Sequence, residues 1–141
     1  MDKPGYRIVD IQTLQFATFE TSYRPEIEEL NVTSAYSYGV DSSSRLFICA
    51  MSVSFFQEGN IIVKIDSQVV FQFNESAFNS FVSDNKFIMD EKAVGHFTSI
   101  LYGATRGILA SKLEETSLRK IILPPVELDQ LIDRPLEITL E

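Results

Sequence analysis

A chain of 141 residues with 45% apolar content is long enough for one domain with a real core and too short for two of ordinary size. Twelve basic against twenty acidic side chains leave a net charge of −8, which repels phosphate backbones and anionic lipid, so neither nucleic acid nor membrane is an expected partner. One cysteine (Cys49), one histidine (His96) and no long apolar run argue against disulfide frameworks, zinc sites, nucleophile triads and membrane spans.

The first residues, Met1 to Tyr6, carry no apolar leader core, and a lone cysteine inside an apolar run suits a reducing compartment, so a cytoplasmic location is expected. Strands are predicted over about 6–20, 32–39, 45–57 and 61–73. The first is irregular: its apolar set slips from Val9 and Ile11 to Leu14 and Phe16, which predicts a bulge near Gln12 or Thr13. Pro25 and the charges around it make 23–30 a connecting loop that crosses the sheet edge.

Between Ile61 and Phe73 apolar residues fill every odd position but Ser67, while Lys64, Asp66, Gln68 and Gln72 occupy even ones, the pattern of a strand with one buried face. Phe47, Cys49, Met51, Val53 and Phe55 share a face of the preceding strand, and Leu46, Ile48 and Ala50 make its other face apolar for half its length. The intervening Gln57-Glu58-Gly59-Asn60 reads as a hairpin loop. A short helix plus loop is expected over 74–90.

A helix is predicted over about 91–114, capped by Asp90, with Val94, Phe97, Leu101, Ala104 and Ile108 on its apolar face. Beside that face runs a stripe of small residues every fourth position: Gly95, Ser99, Gly103, Gly107 and Ser111. Each interior glycine costs roughly 0.5–1 kcal/mol against alanine, so close backbone approach is required, either to the chain's own sheet or to a helix of another subunit. Arg106 either pairs with a buried or interface carboxylate or stays solvated. A short amphipathic helix is predicted over about 127–133, and Arg134-Pro135 ends it ahead of a strand or frayed end at 136–141.

No catalytic set emerges. Gly103-Ala104-Thr105-Arg106-Gly107 lacks the Lys-Ser/Thr ending of a phosphate loop and lies mid-helix, and His96 and Cys49 have no carboxylate partners in a recognisable loop. No enzymatic activity, cofactor or metal is expected.

Three segments carry a resemblance to the SecB protein-export chaperones. The run from Arg106 through Ile121-Ile122-Leu123-Pro124-Pro125-Val126 to Ile132 is similar to that family's helix, with its arginine, and the Ala-Pro-Val-Asn-Phe-Asp type motif after it. Leu46 to Phe73 resembles its two central strands, and Arg24 to Val32 its crossover. The resemblance implies an α+β fold: a four-stranded antiparallel sheet, a long helix and a short C-terminal helix in one domain over 1–141. It also implies a homotetramer built as a dimer of dimers, non-native polypeptides as partners, and an ATP-independent holding activity. Carried over by motif, the client-binding residues are Ile27, Leu30, Val32, Leu128, Leu131 and Ile132. With the small-residue stripe taken as the subunit contact, the oligomer interface takes in Gly95, Ser99, Gly103, Arg106 and Gly107. A dedicated adaptor for one cognate partner, such as an antitoxin, is the alternative. The positions matching the family's acidic docking residues for the motor SecA are Thr13, Ala17 and Lys64, none acidic, which argues against SecA as a partner.

Overall fold

Long alternating strands build the frame. In a computed structural model that describes residues 5–127 and 132–140, β1 (Tyr6–Thr18), β2 (Asn31–Asp41), β3 (Leu46–Gln57) and β4 (Asn60–Phe73) form an antiparallel sheet in the order β1-β4-β3-β2. The β3–β4 hairpin turns through Glu58 and Gly59, both with positive φ (50° and 81°), the left-handed pair that matches strand twist. Register pairs Phe47 with Phe71, Cys49 with Val69 and Val53 with Ile65, so the odd positions of both strands share one face, and that face is buried.

The chain covers that face with α2 (Glu91–Leu113), whose N-cap Asp90 accepts a 2.8 Å hydrogen bond from the Ala93 amide. The buried side of α2 is Val94, Phe97, Thr98, Leu101, Tyr102, Thr105, Leu109 and Leu113. It is rotated from the predicted stripe: Ala104 and Ile108 lie half-buried on its flank, while two threonines enter the core. Both satisfy their hydroxyls there. Thr98 bonds the Val94 carbonyl and the Tyr38 hydroxyl, and Thr105 bonds the Leu101 carbonyl and the buried Ser67 hydroxyl at 2.6 Å.

Between the sheet and α2 the expected helix-plus-loop is more ordered than predicted. A single-turn helix α1 (Glu75–Ser80) is followed by β5 (Val82–Ser83) and β6 (Lys86–Met89), joined by Asp84 and Asn85 at φ 51° and 60°. The end of the chain returns as β7 (Leu136–Thr139) to complete a second sheet, β5-β6-β7, with Lys86 and Glu137 ion-paired across it at 2.7 Å. Phe87 and Met89 of β6 enter the same core as Phe47, Phe73 and Phe97. The short helix predicted over 127–133 falls largely outside the described residues. Within them, Glu127, Ile132 and Asp133 are not helical.

β1 also departs from expectation. The bulge expected near Gln12 or Thr13 falls between Thr13 and Gln15, and a second register shift, not expected, lies between Ile8 and Asp10, leaving Leu14 and Val9 as the extra residues. Each shift bends an edge strand whose outer side pairs with nothing among the described residues, a form of edge protection.

Candidate functional site

Surplus apolar surface lies in two places. The first is β1, where Ile8, Val9, Ile11 and Leu14 are all exposed, Leu14 by 54%. Beside it the solvent-facing flank of α2 carries the small-residue stripe, and an open groove of about 570 Å³ runs between them, lined by Ile11, Thr13, Gly103, Ala104, Gly107, Ile108, Ser111 and Lys112. A Cβ built on Gly95, Gly103 or Gly107 meets nothing within 4 Å. The intrachain explanation of the stripe is therefore overturned: no part of the described chain approaches these glycines closely.

Arg106, placed with that stripe from the sequence, is half-buried and turns its donors to backbone carbonyls. Its Nε donates to the Leu123 carbonyl at 2.9 Å and its Nη2 to the Pro124 carbonyl at 3.2 Å, with the guanidinium 5.3 Å from the centre of the Tyr102 ring. The Tyr102 hydroxyl donates to the same Pro124 carbonyl. Proline at 124 and 125 keeps this stretch extended, so its carbonyls have no helical partners and α2 satisfies them instead.

The second place is formed by the β1–β2 crossover and the segment after α2. Gln57, buried at the end of β3, holds the crossover: its Oε1 accepts from the Arg24 amide at 2.9 Å, and its Nε2 donates to the carbonyls of Arg24 (3.0 Å) and Ile27 (3.1 Å). Glu20 joins the two segments by accepting from both the backbone amide (3.0 Å) and the hydroxyl (2.9 Å) of Ser117. Ile121 and Leu123 anchor the post-helix segment in the core, while Ile122, 62% exposed, and Val126 face outward.

Of the six client-binding residues read from the sequence, Leu128 and Leu131 lie outside the described residues. Ile27, Leu30 and Ile132 are half-buried, the last two packed against the core cluster, and Val32 is exposed at the start of β2. Ile27 lines a polar cleft with Arg24, Gln57 and Glu58. The exposed aliphatics of β1 and Ile122 are not among the residues chosen from sequence. The slipping hydrophobic pattern of β1 was the available signal, since a bulged strand cannot bury both of its apolar sets.

The residues with catalytic potential are otherwise engaged. His96 Nε2 and the Tyr6 hydroxyl are hydrogen-bonded at 2.7 Å, tying the start of β1 to α2. Cys49 is fully buried, and desolvation pushes its thiol up to about 12, far from a reactive thiolate. No described helix is long and apolar enough to cross a membrane.

No protein-family model and no curated protein sequence matches the chain. Its structure is similar to that of the Mycobacterium tuberculosis Rv1957 SecB-like chaperone, solved in complex with a ChAD peptide from the Rv1956 HigA1 antitoxin. The TM-score is 0.55 at 13% identity, covering 86% of this chain and 90% of that one. The likeness is one of fold: a SecB-like α+β architecture with a four-stranded antiparallel sheet and a long helix.

Proposed function

We propose that this chain is an ATP-independent, SecB-like holding chaperone of the cytoplasm that binds unfolded or precursor polypeptides and keeps them soluble. The observation that carries the reading is the row of half-exposed and exposed aliphatics on two segments rooted together: Ile27 and Leu30 of the crossover with Val32 at the start of β2 on one side, Ile122, Val126 and Ile132 after α2 on the other. Apolar surface removed from water contributes roughly 25 cal/mol per Å², so an extended client must cover several such patches to offset its own ordering. Leu128 and Leu131, the other two residues carried over by motif, lie outside the described residues. Suppression of aggregation tests this: unrelated denatured proteins should stay in solution at stoichiometric chaperone without nucleotide, and protection confined to one cognate protein would instead establish a dedicated adaptor. The adaptor reading is favoured by the antitoxin peptide bound to the Rv1957 chaperone.

The copies assemble, in this reading, as a dimer of dimers through the stripe of Gly95, Ser99, Gly103 and Gly107. Arg106 contributes indirectly, by fixing the post-helix segment against the same helix. Because Cβ atoms at Gly103 and Gly107 have open space, the double variant Gly103→Leu, Gly107→Leu should leave the subunit folded, its helix gaining about 0.5–1 kcal/mol per position. Its assembly should fail. Size-exclusion with light scattering should read a tetramer for the natural sequence and a smaller species for the variant; an unchanged mass rules out the stripe as the contact.

A further inference from the structure

Two arginines converge on a cleft that none of the preceding roles uses. Where β1 begins and β4 ends, a hollow of about 310 Å³ is lined by Tyr6, Arg7, Arg45, Gln72 and Asn74. Arg7 donates through Nε (3.2 Å) and Nη2 (2.8 Å) to Gln72 Oε1, and the Gln72 amide donates in turn to the Ser44 carbonyl at 3.2 Å. Arg45 stands at a left-handed φ of 56°, with its Nε on the Phe73 carbonyl at 3.0 Å and its own carbonyl accepting from the Phe73 amide at 2.9 Å. Both guanidiniums are thus held in place by neutral groups, and most of their donors have no partner among the described residues.

That arrangement is unusual in a chain with twenty acidic side chains. The ion pairs among the described residues are Lys86–Glu137 and Asp133–Arg134, so Arg7 and Arg45 have no carboxylate partner there. A guanidinium presents its donors as a planar fork that matches a carboxylate or a phosphate. We propose that this cleft binds a carboxylate, and that the carboxylate belongs to a partner polypeptide.

The net charge of −8 selects between sources of the anion. Free polyanions are repelled over roughly a Debye length, about 8–10 Å at ordinary salt, before they reach the cleft. A carboxylate on a chain already held by apolar contacts needs no such long-range attraction. Its position also suits a polypeptide, because the exposed aliphatics of β1 start next to it, at Ile8 and Val9. An extended segment running antiparallel along that edge brings its C-terminal end to Arg7. The site stands on the cleft and the adjoining β1 edge, neither of which belongs to the two segments proposed to hold clients, so it survives if the holding activity fails, and the converse holds.

The test follows the Arg7 and Arg45 Nε–H signals of the full-length protein by NMR during separate titrations with acetyl-trialanine free acid, its C-terminal amide, and inorganic phosphate. The free acid should give saturable shifts at both arginines and the amide none. Arg7→Gln should weaken binding roughly tenfold, the loss of one charge-assisted hydrogen bond. Arg7→Gln is the primary variant because, among the described residues, the Arg7 side chain bonds Gln72 alone; Arg45→Gln, which removes a contact to the Phe73 backbone, is read only if its spectrum shows a folded chain. Equal response to acid and amide, response to phosphate alone, no response at all, or undiminished binding by Arg7→Gln overturns the proposal.

Discussion

Phe97→Ala is expected to lower the free energy of unfolding by about 3–5 kcal/mol, the usual cost of emptying an aromatic site in a packed core. The Phe97 ring is where the layers meet: its centroid lies 4.8 Å from that of Phe71, 4.9 Å from Tyr6, 5.5 Å from Phe73 and 5.6 Å from Phe47, all edge to face. Edge-to-face pairs add about 0.5–1.5 kcal/mol beyond area burial, so several are lost together. Since stabilities of folded proteins run at about 5–15 kcal/mol, this one change removes a large share. In urea the midpoint should fall with the slope unchanged, while Ile122→Ala, on an exposed side chain, should move the midpoint by no more than about 0.5 kcal/mol equivalent. Matching losses for the two variants would mean that α2 does not dock on the sheet through Phe97.

Elements that follow one period were legible in the sequence. β3 and β4 alternate cleanly because each buries one face against α2, and the α2 start was marked by Asp90. The face of α2 was misplaced because Thr98 and Thr105 count as polar, yet each hides its hydroxyl on a helix carbonyl and on a second side chain. The second sheet was missed for a different reason: β5 and β6 are two and four residues long, and β7 reaches β6 from across the whole of α2, so no local pattern announces the pairing. Its turn, Asp84-Asn85, carries no glycine although both residues take positive φ. Of the proposed client-binding surface, Ile27, Leu30 and Val32 could be picked out by resemblance, whereas the exposure of Ile8, Ile11 and Leu14 goes with two bulges that sequence placed only as one. The Arg7–Arg45 cleft was invisible, since it arises from the pairing of β4 with both β1 and β3.

Gln57→Ala should separate the fold from the client-binding role. The side chain is 3% exposed and satisfies three backbone groups of the crossover, so truncation leaves the Arg24 amide and the Ile27 carbonyl without partners and the Arg24 carbonyl with the Ile27 amide alone. At about 1–3 kcal/mol for each fully buried orphan, and less here because the crossover is open to water, the expected loss is about 2–3 kcal/mol. The sheet and α2 should persist, because none of their pairings passes through this side chain. The crossover should not: the Ile27 amide, bonded to the Arg24 carbonyl at 3.1 Å, should exchange hydrogen faster than amides in β3 and β4 under conditions where the variant is folded. Ile27 and Leu30 then have to be ordered by the client, which moves an entropy term from folding to binding and should weaken client affinity roughly tenfold. Gln57→Glu should do no better, since it keeps the acceptor for the Arg24 amide but sets a carboxylate against two carbonyls. A Gln57→Ala variant with fast Ile27 exchange and undiminished aggregation suppression would show that clients are held elsewhere, and the exposed edge of β1 would then become the surface to test.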